Sequence, residues 1–557
     1  MPILSHGMDA LHIDPTERTA LCRFCLFGHD VRVTVSPRFL RNLDLDLIEY
    51  FFSVVPFFLP IFDQLQYHAG SCLLGLSICS IILVFACLDM IVEVVAGSSP
   101  MGKLSLCETL FNSQKYCALR AAVTRRSFTA NHETKPSSKH YSNQLLHFIK
   151  QKINLNGPMS VADYMRLTAS SPVGGYYSHH GNKIFGEKGD FITAPELTQM
   201  FGELIGVWCY YELRNTVIDD DYYEKKKSKI YLRRVTPLVV LSGYNEEWQL
   251  VENGPGTGQL MYDITRALKQ LRETKGSIHL VETSDALLSQ QESLLCKQPS
   301  QFVDGKPYVR CNMTKNGFPI YWYRNVDDIP AKFSVFISNE FLDALPINQF
   351  KRDAEDKWHE VYVNLDKNDK LCFMLSRSEN LHTFGLLPKG IRQDLSIKEW
   401  EISIDAGTYI NQVADSITKF GGFVLIIDYG HDGTRKDLSL RAYKDHRIVH
   451  PLENPGEHDI TADVNFGYLK SLVTDRTLVF GPIEQREFLA QMGIGLRLQK
   501  LLTSCETEEE KKNLIKSCEI LMGEASMGAR FKVMSIFPKT LENVLSKRKG
   551  PAGFAGA

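Results

Sequence analysis

The sequence predicts an α/β fold organised around a parallel sheet covered on both faces. Three observations carry that expectation. A short apolar strand at 249–252 runs directly into a glycine loop at 254–258 and then into an amphipathic helix at 259–273. A second apolar strand at 277–281 follows, ending on the acid Glu282. Two more apolar runs, 333–337 and 422–427, show no polar alternation, as expected of strands buried on both faces.

Composition sets the outer limits. With 557 residues, 44% hydrophobic and 23% charged, the chain has ordinary globular proportions and room for several domains. The 63 Lys and Arg against 65 Asp and Glu leave a net charge of −2, without the strongly basic surplus of a nucleic-acid binder. The 13 cysteines are scattered; Cys22 and Cys25 form one CxxC pair, but no second pair completes a zinc site, so no metal is expected. Reduced thiols are the simplest reading.

Residues 1–100 contain no lysine and hold an uncharged run at 70–88, with apolar character continuing to 96. Its length is about what a hydrocarbon core of roughly 30 Å requires. No Lys or Arg lies between Arg41 and Lys103 to anchor such a span. Membrane contact is expected only if 70–96 is a real transmembrane segment. The stretch 101–135 then carries Lys103, Lys115, Arg120, Arg125, Arg126 and Lys135 against only Glu108 and Glu133, which is the composition of a mitochondrial transit peptide. Such a peptide acts at a free N-terminus, so the simplest expectation is that Met101 is the true start and 1–100 an over-extended reading of the gene. A membrane-anchored extension is the alternative.

Leu145, Leu146, Ile149 and Ile153 recur at helical spacing, and Ser160 is placed to cap a second helix carrying Val161, Tyr164 and Met165. Residues 136–215 therefore read as a helical N-terminal lobe. The segment 216–246 pairs an acidic knot with a basic one and shares no period with its neighbours, which suggests an insertion. The core is expected in two parts, 247–344 and 416–540. Between them, 345–415 reads as an inserted α+β region with a β-rich stretch near 358–375. Near the end, 481–492 reads as a helix, 531–536 as a final antiparallel strand, and 541–557 as a disordered tail.

The glycine loop narrows the chemistry. Glycines at 254, 256 and 258 let the backbone turn sharply and approach a ligand, and the helix N-terminus behind them offers free N–H groups. The spacing is E-x-G-x-G-x-G from Glu252, unlike the GxGxxG of dinucleotide sites. It fits S-adenosyl-L-methionine: Glu252 can receive the cationic methionine end, and Glu282 can accept hydrogen bonds from ribose hydroxyls. In parallel sheets ligands lie beyond the carboxyl ends of the strands, so Glu252, Glu282, Asn339, Glu340, Asp428 and His431 are expected around one crevice.

Several longer motifs occur in order: 189–196 (GDFITAPE), 251–258 (VENGPGTG), 338–346 (SNEFLDALP), 358–360 (WHE), 428–431 (DYGH) and 459–464 (DITADV). On these motifs the chain resembles the MidA-like family over roughly 140–537. The resemblance implies a Rossmann-like seven-stranded SAM-dependent methyltransferase core, with a helical N-terminal lobe and an inserted region covering the substrate. It also implies a mitochondrial matrix enzyme that makes symmetric dimethylarginine on a complex I core subunit of the 49-kDa type and so supports complex I assembly. Residues 1–100 and 216–244 depart from the family pattern.

A guanidinium is planar and permanently charged, and carboxylates hold it best through paired hydrogen bonds. Glu340 and Asp343 are the first candidates to orient it; an N-cap and a solvated loop acid is the other reading. His431 is a candidate acceptor for the released proton, or else a scaffold residue. Asp190, Thr193 and Glu196 are candidates to close over the cofactor, as the resemblance implies, or to form a TxxE capping box. Asn339 joins the cofactor set. Tyr176 and Tyr177 either line the substrate groove or pack, and Trp358 reads as core. A non-catalytic SAM-binding chaperone of complex I remains an alternative, as does a methyltransferase for small molecules or RNA. The residues leave the target arginine, the symmetry of the product and the oligomeric state open.

Overall fold

The computed structural model describes residues 12–13, 20–26, 29–35, 138–179, 184, 189–190, 192–215 and 246–555. The chain forms two compact units, Met1–Glu133 and Thr134–Ala557. In the first, His12–Ile13, Ala20–Leu26 and His29–Val35 pair antiparallel. The runs 70–96 and 101–135, nearly all of 216–246, and the side chains of Cys22 and Cys25 lie outside the described residues. Among the described residues, no helix is long and apolar enough to cross a membrane.

The second unit is built on seven strands: β1 (Trp248–Asn253), β2 (Gly276–Val281), β3 (Pro319–Tyr323), β4 (Ser334–Asn339), β5 (Gly422–His431), β6 (Thr477–Glu484) and β7 (Phe531–Pro538). Their order across the sheet is 3-2-1-4-5-7-6. β1 to β5 pair in parallel, and β7 runs antiparallel between β5 and β6. Arg310–Met313 extends the β3 edge and Val464–Asn465 joins the end of β5, which makes nine strands. This is the Rossmann-like methyltransferase sheet that the sequence predicts.

The unalternating apolar runs are buried for the expected reason. Every residue of β1 and β4 is buried, and their side chains divide between two cores. On one face Leu250, Val335, Ile337 and Leu425 meet Phe201, Trp208, Leu260 and Ile264. On the other Val251, Phe336, Val424 and Ile426 meet Tyr409, Ile410, Val413 and Phe466. The helix after the glycine loop, α1 (Gln259–Gln270), buries Leu260, Met261, Ile264 and Leu268 as the spacing predicts. It ends before 273 because Arg272 takes a left-handed φ of 61°.

Three expectations need correction. The expected helix 481–492 begins as strand: β6 runs to Glu484, and only Gln485–Gln491 is helical. A register shift between Phe480 and Ile483 breaks the alternation there, and Pro482 lacks an N–H, which an edge strand tolerates. The 136–215 region is not one lobe. Ser138–Asn156 and Val161–Ser170 pack against Val361, Val363, Ala442 and Leu452, whereas Gln199–Asn215 sits in the main core through Phe201, Leu204, Ile205 and Trp208. The terminal 541–557 segment is ordered through Ala555: Glu542–Lys547 is helical, and Phe554 is buried against Phe488.

The region between β4 and β5 holds an antiparallel sheet of Leu371–Leu375, Trp358–Leu365, Asn348–Arg352 and Glu399–Ile402, to which Met159–Ser160 adds a fifth strand. Trp358 is core, packed with Phe350 and Trp400. Ser160 caps Val161–Ser170, its hydroxyl accepting from the Asp163 N–H at 3.0 Å. A three-stranded ribbon of Arg447–Val449, Arg441–Lys444 and Asp459–Thr461 follows β5.

Candidate active site

The site assembles at the carboxyl ends of β1, β2, β4 and β5. Glu252, in β1, is 2% exposed, and its Oε2 has no hydrogen-bond partner. Burial pushes its carboxyl up to about 8. The loop beyond it turns through three glycines with φ of 64°, 53° and 86° at Gly254, Gly256 and Gly258. At Gly254 a Cβ would lie 2.5 Å from the Phe341 ring, so this position admits no side chain. The Oδ1 atoms of Asn253 and of Asn339, which ends β4, are likewise buried without partners. Natural interiors leave few polar atoms unpaired, so three orphans at two adjacent strand ends fit a polar ligand there.

Glu282 follows β2 and is also buried. Its Oε1 accepts from the Ser284 N–H at 2.7 Å and its Oε2 from Gln291 Nε2 at 3.0 Å. Burial raises this carboxyl to about 7, and those hydrogen bonds oppose the rise. Gln291 was not visible as a site residue in the sequence. Fully buried on the helix Asp285–Leu295, it also donates to the Gly256 carbonyl at 2.8 Å and accepts from Trp322 Nε1 at 3.0 Å. It therefore braces the glycine loop against the second acid. A cavity of about 490 Å³ lies alongside, lined in part by Pro195, Glu196, Thr257 and Gln259.

The acids after β4 face the neighbouring space. Glu340 adopts φ of 50°, uncommon for a residue with a side chain. Its Oε1 accepts from the Ala194 N–H at 2.8 Å and from Asn339 Nδ2 at 3.3 Å. Burial, with Asp343 and Glu196 nearby, pushes it up to about 8 despite those bonds. Asp343 is buried with Oδ1 unpartnered, and burial raises it above the ordinary carboxylate range.

Asp428 has a different place from the one its position suggests. Its Oδ2 accepts from the N–H groups of Phe341 and Leu342 at 3.1 and 2.9 Å, and its Oδ1 from Tyr429 at 2.9 Å. It is the anchor of the 341–343 loop, turned toward backbone rather than ligand. His431 is engaged by other groups. Its Nδ1 accepts from the Gly433 N–H at 3.1 Å, and the charges weighing most on it are Asp463, Arg435, Asp432 and Asp437. Burial lowers its basicity, and it makes no hydrogen bond to Glu340 or Asp343.

The 190s segment is brought to the site from the other side. Thr193 stands at the N-cap of Ala194–Leu197 without a side-chain cap bond, so the capping-box reading fails. Glu196 lines the cavity beside Thr257. Asp190 accepts from the Tyr176 hydroxyl at 2.6 Å and from the Asp445 N–H at 3.0 Å. It thus ties the segment to the ribbon after β5 and makes no hydrogen bond to the glycine loop.

This sheet order, glycine loop and pair of strand-end acids define a SAM-dependent methyltransferase. A family model described as an S-adenosyl-L-methionine-dependent methyltransferase matches residues 235–483. A Caenorhabditis elegans protein named protein arginine methyltransferase NDUFAF7 homolog, mitochondrial, is 51% identical over 421 residues, covering 75% of this chain and 92% of its own. The Homo sapiens NDUFAF7 is 36% identical over 403 residues, covering 71% and 83%. The chain belongs to this mitochondrial NDUFAF7 family, and S-adenosyl-L-methionine is its cofactor. In fold it is similar to a Burkholderia thailandensis protein crystallised with S-adenosyl-homocysteine, with a TM-score of 0.58 at 22% identity over 74% of this chain and 98% of that one.

Proposed function

We propose that this protein methylates arginine in a protein substrate, as the names of its relatives suggest. The observation that carries the reading is the set of acids, half-buried Glu340 and buried Asp343 foremost, at the strand ends next to the glycine loop. The cofactor supplies an electrophilic methyl group on a sulfonium; the remaining tasks fall to the chain. Glu252, with its free Oε2, receives the cationic end of the cofactor, and the loop at Gly254, Gly256 and Gly258 carries the nucleoside past the backbone. Glu282 and Asn339 hold its polar groups, and the segment with Asp190, Thr193 and Glu196 closes over the site.

Positioning is the main catalytic requirement of an in-line displacement. Glu340 and Asp343 orient the guanidinium so that one nitrogen lies on the methyl–sulfur axis. Methylation also frees one proton. Glu340, raised to about 8, lies in the range of a base working near neutrality. His431, with its basicity lowered and one ring nitrogen engaged, suits that task less well.

From the family resemblance we propose symmetric dimethylarginine as the product, a complex I core subunit of the 49-kDa type as the substrate, and the mitochondrial matrix as the compartment. The test is transfer of labelled methyl from S-adenosyl-L-methionine to that subunit, with mass spectrometry locating the modified residue. Symmetric dimethylarginine on the subunit supports the reading. Tight cofactor binding without transfer to any arginine would overturn it in favour of an assembly chaperone.

A further inference from the structure

We infer that Asp459 is a second substrate-holding carboxylate, paired with Asp343 across the crevice, and that Tyr177 is the positioning residue that aims it. This rests on the arginine-methylation reading and adds to the site a motif, 459–464, that no role has absorbed. Asp459 is 5% exposed. Its Oδ1 accepts from the Tyr177 hydroxyl at 2.7 Å, and the Ile460 N–H also favours its ionised form. The segment that carries it is fastened to its partner, because the Ala462 N–H donates to the main-chain oxygen of Asp343 at 3.0 Å. Asp343 in turn presents a buried Oδ1 without a partner. The Tyr429 hydroxyl lies near enough to favour the ionised form of Asp343 but makes no hydrogen bond to that oxygen.

Among the described residues, no cation forms an ion pair with either acid. Arg441 favours the ionised form of Asp343, but its guanidinium is engaged by Asp463 and by the Tyr443 hydroxyl, and it stacks over the Tyr429 ring at 4.7 Å. Two buried carboxylates without an ion-paired partner are costly unless a cation completes them. A guanidinium brings a planar fork of N–H donors that can reach two acids at once; a lysine ammonium is a single point charge. The chemistry favours an arginine side chain as the occupant.

Tyr177 also links this pair to the cofactor side. Its carbonyl accepts from Ser284 Oγ at 2.8 Å, and the Ser284 N–H donates to Glu282. One run of hydrogen bonds thus joins the proposed ribose acid to the proposed substrate acid. Beside it, Tyr176 packs edge-on at 5.1 Å and donates to Asp190.

The test is methyl transfer by the full chain, with Asp459→Asn and Tyr177→Phe variants, alongside calorimetric titration of S-adenosyl-L-methionine. Asn can still accept from Tyr177 but carries no charge. Asp459→Asn should raise KM for the arginine substrate about tenfold or more, the scale of one lost charged contact, and keep cofactor Kd within about twofold. Tyr177→Phe should move the acid limb of kcat/KM to higher pH, since the hydroxyl, with the Ile460 N–H, favours the ionised form of Asp459 against burial and against Asp343, Asp190 and Tyr176 around it. A purely structural role would weaken cofactor binding and leave that limb in place. An active wild type with unchanged KM in Asp459→Asn overturns this inference alone. A wild type that transfers no methyl to arginine overturns the underlying reading and this one with it.

Discussion

The Ala194 N–H donates to Glu340 Oε1 at 2.8 Å, so a segment that precedes the glycine loop by some sixty residues fixes the first acid beyond β4. The bond holds a carboxyl whose backbone sits at φ of 50°. It also engages one oxygen and leaves the other for substrate. Glutamine at 340 keeps an acceptor for Ala194 but loses the charge. Glu340→Gln should lower kcat by about a hundredfold with cofactor Kd nearly unchanged, in the range typical for loss of a positioned acid–base group. Glu340→Ala should add faster amide exchange over 192–197. Steady-state kinetics and hydrogen exchange separate the two; equal kinetics for Glu340→Gln and wild type would remove Glu340 from the chemistry.

Gln291 gives a second expectation. It serves the Gly256 carbonyl, Glu282 and the Trp322 indole together from a fully buried position. Gln291→Ala would strand two side-chain partners and a carbonyl in the interior, each costing about 1–3 kcal/mol if water cannot replace it. Denaturant unfolding should show a loss of several kcal/mol, and calorimetry a weaker affinity for S-adenosyl-L-methionine. A variant as stable as wild type with unaltered affinity would show that the brace is dispensable.

Much of this was legible in the sequence, for identifiable reasons. β1, β4 and β5 read correctly because strands buried on both faces leave unbroken apolar text. The sharp turn at Gly254, Gly256 and Gly258 was legible because their positive φ demands glycine. Asp428 was harder: an acid at a strand end looks the same whether it faces a ligand or, as here, four backbone N–H groups. The partnership of Tyr177 with Asp459 spans 282 residues and leaves no local pattern. β6 was misread because a bulge around Pro482 removed its alternation. Thr193 offered a capping pattern that the fold does not use.

Glu252 makes the site pH-sensitive. Its folded value of about 8 lies above the ordinary 4.5, so the folded state holds a proton that the unfolded chain has released. The stability this contributes is fully present below about 4.5 and is lost as pH rises through about 8. Glu252→Gln should therefore stabilise the protein more at pH near 9 than near 5. Binding of the cationic cofactor favours the ionised carboxylate, so it should release a proton near pH 7. Calorimetry in two buffers of different ionisation enthalpy measures that directly. Identical heats in both buffers would show that Glu252 is already ionised or does not meet the cation.

The C-terminal segment is expected to be structural rather than dispensable. Glu212, fully buried on Gln199–Asn215, accepts from Arg548 Nη2 at 2.5 Å and from the Ala552 N–H at 2.8 Å. The Trp208 indole donates to the Ala552 carbonyl at 3.0 Å, and Phe554 packs on Phe488 with centroids 5.6 Å apart. Burial raises the Glu212 carboxyl, and Arg548 is the main group opposing that rise. Deleting 548–557 would remove both partners of a buried acid, at about 3–5 kcal/mol, and expose the pocket filled by Phe554, at about 3 kcal/mol more. Arg548→Ala alone should give most of the first effect and Phe554→Ala most of the second. The two should add to within about 0.5 kcal/mol if they share no partners. Chemical denaturation of the three variants tests this, and a truncated chain with wild-type stability would mean that the tail merely rests on a helix able to satisfy Glu212 by other means.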